Sequence, residues 1–148
     1  MSHKRTQPIP QGLYRVAVRS GNTIYTSGMT PRVAGVLQYR GSIGTKDKIK
    51  TFRKAVRLAT RNALSAAQSK VEENEKLTLV LQLTVYINAK RGFKKHAKIA
   101  DYASEFLIKE LGAQSIGSRA AVGVTSLPSD APVEVTLVCA VDKRSKRK

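Results

Sequence analysis

The chain lacks tryptophan, has one cysteine and two histidines, and is only 5% aromatic over 148 residues. Each shortage excludes something. The lone thiol, Cys139, has no internal partner, so an intramolecular disulfide and a cysteine-rich zinc site are both excluded. A reducing, cytoplasmic setting is the expectation that follows. Two histidines, His3 near the N-terminus and His96 among lysines, leave little from which to build a Ser/His/Asp triad. The sequence also contains no GxxxxGK(S/T), no GxSxG and no HExxH. No long apolar run exists: Leu77 to Ile87 spans 11 residues, is broken by Thr78, Gln82 and Thr84, and falls short of the ~18 needed to span a membrane. The opening MSHKRTQPIP has no apolar core and does not read as a secretory signal.

Acids are scarce as well. Ten Asp+Glu stand against 27 Lys+Arg, a formal net charge of +17. From Met1 to Val71 the only acid is Asp47, against fourteen basic residues. The last six residues, Lys143 to Lys148, hold five positives. This stretch reads as a disordered basic tail or as an arm that touches nucleic acid. Net charge bears on solubility and non-specific binding rather than on fold. What the chain does have is 41% hydrophobic residues, enough for one domain of ordinary size that buries about 68–70% of its unfolded surface.

Periodicity predicts the order of elements. Tyr14, Val16 and Val18 alternate with polar or small residues, and Gly21-Asn22 turns the chain into a second strand at Thr23–Thr26. Gly28 to Gly35 reads as loop and Val36 to Arg40 as a short strand. Thr45 is the expected N-cap of a long helix, with Asp47 in its first turn and Glu72 to Glu75 at its end. Its apolar face carries Ile49, Phe52, Val56, Ala59, Ala63 and Ala67. Leu77 to Ile87 alternates strictly and is the strongest strand. Phe93 to Leu111 predicts a second helix stopped by Gly112. Two strands close the chain, Ser118–Leu127 and Val133–Val141.

The expected fold class is therefore α+β, in the order βββαβαββ, with one mixed sheet and both helices on one face. Residues 1–12 are the expected flexible N-terminus, 13–142 a single domain and 143–148 the tail. Gln82, Thr84 and Tyr86 lie on one side of the central strand, and a half-apolar sheet face left uncovered favours self-association.

Two residues stand out chemically. Arg119 opens a strand whose same-face neighbours, Ala121, Gly123 and Thr125, are small, which leaves room beside a fork suited to a carboxylate. A salt bridge to a nearby acid is the plainer reading. Glu134 sits opposite the apolar face of the last strand, where an acid wants a partner; it is a surface acid, a salt bridge, or a general acid/base. His96 reads as a surface helix residue and Cys139 as a small core residue.

A family resemblance rests on two blocks. Gly21-Asn22-Thr23-Ile24-Tyr25-Thr26-Ser27-Gly28 resembles an early G-N-x-I/V-Y/F-x-S-G signature. Ser118 to Val124, Leu127-Pro128 and Ala131 to Val135 are similar to R-S/A-A-V-G-V-x-x-L-P-x-x-A-P-V-E-V. Both belong to the reactive-intermediate deaminase (RidA/YjgF) family, also known as endoribonuclease L-PSP-like. The resemblance covers about Tyr14 to Val141. It implies a chorismate-mutase-like fold assembled as a homotrimer, with clefts between subunits. It also implies cofactor-free, metal-free hydrolysis of reactive enamines and imines such as 2-aminoacrylate to 2-keto acids and ammonia. By the same resemblance Arg119 grips the substrate carboxylate, Tyr14, Ser27, Gly28 and Ala121 line the cleft, and Glu134 positions or activates water. Two departures are visible: Met29 stands where many members have Gln, and Ala121 where many deaminases have Cys. Other functions compatible with these residues are an RNA-binding or RNA-cleaving translation inhibitor, drawing on the +17 charge for non-specific phosphate contact, and a non-catalytic trimer that binds a 2-keto acid.

Overall fold

The structure, a computed structural model, describes residues 7–145; the first six and last three residues, with half of the basic tail, lie outside the described residues. Five strands form one sheet in the order β1-β2-β7-β5-β6: β1 Ala17–Ser20, β2 Thr23–Thr26, β5 Glu75–Asn88, β6 Ile116–Val124 and β7 Val133–Lys143. The β5–β6 pair is parallel and the others antiparallel, so the sheet is mixed. A separate two-residue hairpin, β3 Arg32–Val33 and β4 Val36–Leu37, lies between β2 and the first helix.

Strict alternation sends Val133, Val135, Leu137, Cys139 and Val141 of β7, and Leu83, Val85 and Ile87 of β5, to one buried face. Helices α1 (Arg53–Gln68) and α2 (His96–Leu111) pack on that face and against each other. Alanines at 59, 63 and 67 of α1 and at 100 and 103 of α2 let the helices approach the sheet closely. Cys139 lies in this core, where burial pushes its thiol up to about 12. No helix among the described residues is long and apolar enough to cross a membrane.

Several boundaries differ from expectation, each for a local reason. Tyr14 precedes the sheet, because β1 begins only at Ala17; Val16 turns toward the core while Val18 faces outward. The expected loop between Gly28 and Gly35 contains β3, turned by Ala34 and Gly35 with φ of 48° and 81°, the mirror-image turn that suits a tight hairpin. Thr45 caps nothing. Ile43 forms a parallel bridge to Ala89, and Asp47 accepts the Gly44 N–H at 2.6 Å, a local bond that holds the chain in a turn. A short 3₁₀ segment, Ile49–Phe52, then leads into α1. The helix stops at Gln68, well before Glu72 to Glu75, and Glu75 opens β5. Gly112, with φ of 95°, ends α2 as expected. β7 runs through Lys143, and Arg144 donates to the Glu75 carbonyl at 2.9 Å, so order continues past position 142.

The sheet's second face is open. Cross-strand register lines up Val18, Tyr25, Val138, Gln82 and Ser118 across it, with Val18 46% and Tyr25 49% exposed. The Thr136–Thr84–Ala120 and Glu134–Tyr86–Val122 rows continue it toward the cleft described next.

Candidate active site

After β2 the chain leaves the strand as Ser27-Gly28 and rejoins β7 through Met29, whose N–H and carbonyl exchange bonds with Val135 at 2.8 and 2.9 Å. Met29 itself is buried in the core, so its side chain brings no polar group to the cleft. Val135 faces the core, so its neighbour Glu134 faces the other way, directly over Gly28. A methyl group at Gly28 would stand 2.5 Å from Glu134 Cδ and 2.8 Å from Oε2. Only glycine leaves space for the carboxyl group there.

Around this contact lies a cavity of about 370 Å³, lined by Tyr14, Ser27, Gly28, Thr30, Arg32 and Glu134 together with Gln11 and Pro128. Burial raises the Glu134 carboxyl above its ordinary range. The Tyr14 hydroxyl accepts the Gln11 N–H at 2.9 Å and keeps its own proton to donate. Ser27 Oγ donates to the Arg15 carbonyl at 2.5 Å, leaving its oxygen as an acceptor.

Four of the expected site residues, Tyr14, Ser27, Gly28 and Glu134, thus meet in one pocket. Arg119 and Ala121 do not join them. Arg119 pairs with Leu83 and Ala121 with Val85, both core residues, so these two side chains lie on the helix-covered side of the sheet, opposite Glu134. The room expected beside Arg119 is filled: His96 packs its imidazole against Gly123, within 2.5 Å of where a Cβ would stand. That half-buried ring also meets Phe93 edge-on at 5.1 Å. The Arg119 fork has partners in α2, with Nη1 donating to Asp101 Oδ1 at 2.8 Å and Ser104 Oγ at 3.0 Å, and Nη2 to the Ala97 carbonyl at 3.4 Å. The salt bridge that its sequence context allowed is present.

Sequence reasoning missed Arg32, which lines the pocket from β3. Its signal was the Pro31-Arg32 pair inside a glycine-bounded loop, hidden among many other basic residues. Among the described residues no three His, Cys, Asp or Glu side chains group as metal ligands.

An α+β chain with a two-helix layer on one face of a mixed sheet has the architecture of YjgF-like proteins. The endoribonuclease L-PSP family matches residues 4–141, and the chain belongs to that family. Protein TCP17 of Trypanosoma cruzi is 28% identical over 130 residues, 85% of this chain and 79% of that one. A protein of unknown function from Agrobacterium tumefaciens has a solved structure similar to this one, with a TM-score of 0.79 and 27% identity over 93% of this chain and 86% of that one. The YjgF gene product of Escherichia coli shares the fold at a TM-score of 0.63, with 22% identity over 90% of this chain and 92% of that one.

Proposed function

We propose that the chain is a cofactor-free hydrolase of reactive enamines and imines of amino acids, 2-aminoacrylate-like, which it converts to 2-keto acids and ammonia. The observation that carries this reading is the half-buried Glu134 carboxyl held over Gly28 in a pocket with Tyr14 and Ser27. The chemistry needs one group that can both give and take a proton. Protonation at the β-carbon turns an enamine into an iminium. Water then adds to the C=N carbon, and the carbinolamine expels ammonia as the C=O forms. A carboxyl whose affinity for protons is raised by burial can donate in the first step and accept from water in the second. Tyr14 O–H can hold the water or the leaving nitrogen.

The substrate carboxylate needs a cation, and in this reading Arg119 supplies it across a subunit boundary. Arg119 lies on β6, an edge strand, and on the opposite side of its own sheet from Glu134. A homotrimer packed through the open sheet face, with the β6 edge of one chain beside the Glu134 pocket of the next, accommodates both facts, because each cleft then draws on two chains. The exposed Tyr25 and Val18 give that face apolar area to bury.

The test is 2-keto acid release from 2-aminoacrylate generated in situ. Glu134→Gln should lower the rate by about 10²-fold or more, and Arg119→Ala should abolish the acceleration while leaving the assembly intact. An unchanged rate in Glu134→Gln overturns the assignment.

Two other readings have some support. Exposed Lys46, Lys48, Lys50, Lys54 and Arg61 gather on and before α1, with Lys94, Lys95 and Lys98 at the start of α2, a basic surface for RNA phosphates. Binding of that kind must weaken steeply with salt, and affinity that is flat up to physiological salt excludes it. A non-catalytic carboxylate binder would bind 2-keto acids in the same cleft and accelerate no imine hydrolysis.

A further inference from the structure

The cleft continues beyond Glu134. A second cavity of about 240 Å³ adjoins it and shares Gln11, Tyr14, Gly28, Thr30 and Arg32 with it. This chamber lies between the β3–β4 hairpin, the Leu58–Ser65 stretch of α1 and the segment from Gln7 to Gln11. Asn62 ties two of these walls together, its Nδ2 donating to the Thr30 carbonyl at 3.1 Å and the Arg32 carbonyl at 2.9 Å.

The lining is electrostatically one-sided. It contains two arginines, Arg32 and Arg61, and no carboxylate among the described residues. Arg32 makes three hydrogen bonds, all to neutral oxygens: Nε to Thr30 Oγ1 at 3.1 Å, Nη1 to the Gly35 carbonyl at 2.9 Å and Nη2 to Ser129 Oγ at 3.0 Å. These bonds fix its orientation without neutralising its charge. Arg61 is held over the Phe106 ring at 5.8 Å, which orients it.

We infer that this chamber is the side-chain subsite of the cleft and selects substrates whose side chain ends in a carboxylate, with Arg32 and Arg61 as specificity-determining residues. The inference rests on the imine-hydrolase reading of the Glu134 pocket. Glu134, Gly28 and Arg32 line one cavity, so a side chain that extends from a carbon held at Glu134 shares that space with Arg32. An anion there meets a planar fork already oriented for it, whereas an aliphatic side chain gains nothing from either arginine.

The test compares 2-oxoglutarate with 2-ketobutyrate by calorimetry on the full chain. It is followed by keto-acid release from the imines that an amino-acid oxidase makes from glutamate and from 2-aminobutyrate. The dicarboxylic ligand should bind at least about 10-fold tighter, a difference of about 1.4 kcal/mol. Arg61→Gln should cut that preference several-fold, and Arg32→Gln, if it folds, should cut it further. Lys109→Gln removes one positive charge from an exposed position outside the chamber and should leave the preference intact. Equal affinities, or a preference that Arg61→Gln does not move, overturn the subsite. A preference that follows Arg61 with no imine hydrolysed supports the subsite and refutes the hydrolase reading. Hydrolysis of both imines at equal rates with equal binding does the reverse.

Discussion

The carboxyl group of Glu134 rests on the α-carbon of Gly28, so that a Cβ there would lie 2.5 Å from Cδ. Two motifs more than a hundred residues apart, S-G and V-E-V, are therefore one steric constraint. The Met29–Val135 bridge sets the register that imposes it. Gly28→Ala must displace the carboxyl, an overpacking that costs about 1–3 kcal/mol. Turnover should fall with it. The same substitution should cost less in a Glu134→Ala background, with a coupling of about 0.5–3 kcal/mol. Denaturant unfolding of the four proteins measures this, and additive costs would show that the contact carries no strain.

Glu134 also makes a pH prediction whose sign is fixed. Burial raises its native value above the ordinary 4.5. Native protein then holds a proton that unfolded chain has released, so this group's stabilising contribution is complete below 4.5 and is lost as pH rises through the raised value. Glu134→Gln cannot ionise and should not show that loss. Melting temperature against pH for both proteins should therefore show the variant gaining on the wild type through this window.

Much of the fold was legible because its signals are local. The alternation in Leu77 to Ile87 and Val133 to Val141 is a property of a few neighbouring side chains, and it located β5 and β7. The failures involve partners distant in sequence. Glu72 to Glu75 looked like the acidic end of a helix, yet Glu75 turns inward to meet Arg19, 56 positions away. Thr45 looked like a cap, but the Ile43–Ala89 bridge and the Asp47 bond to Gly44 claim that stretch first. In the site, Ser27, Gly28 and Glu134 could be found from motif and pattern. That His96 fills the space beside Arg119, or that Arg32 turns into the pocket, depends on how α2 and a two-residue hairpin pack, which no local pattern records.

The Arg19–Glu75 pair predicts the opposite pH dependence. Arg19 Nη1 and Nη2 donate to Glu75 Oε2 and Oε1 at 2.6 and 2.8 Å, and the Glu72 N–H adds a third bond at 3.0 Å. The Arg19 fork, then the Glu72 N–H, hold the carboxyl down at about 2. A lowered native value means stability present above 4.5 and lost as pH falls toward 2. Glu75→Gln should be less stable than wild type at neutral pH, and the gap should close between about 4.5 and 2. A gap that stays constant with pH would remove the ionic part of this account.

Asp101 and Arg119 separate structural from functional roles. Their ion pair is partly exposed, with side-chain exposures of 26% for the arginine and 56% for the acid, so Asp101→Asn should change stability by about 1 kcal/mol or less. If Arg119 grips a substrate carboxylate, releasing its fork from Asp101 should tighten binding of 2-ketobutyrate, while Arg119→Ala should eliminate it. Calorimetry on the two variants reads this directly. Tightening in neither variant, with binding retained in Arg119→Ala, assigns the arginine to the α2 contact alone.

The proposed assembly runs through the open sheet face. Tyr25, 49% exposed, stands beside Val18 and Val138 in the row that crosses it. A carboxylate placed there would have to be desolvated in any interface that covers the row, and an unpaired buried charge is strongly disfavoured. Wild-type chain should sediment at three times the 16.2 kDa protomer mass, and Tyr25→Glu at one. The position is far exposed in the protomer, so the variant should keep its helical circular dichroism. Loss of imine hydrolysis along with the trimer would mean that the cleft needs two chains, whereas a monomeric Tyr25→Glu with full activity would place the whole catalytic apparatus in the Glu134 pocket of one.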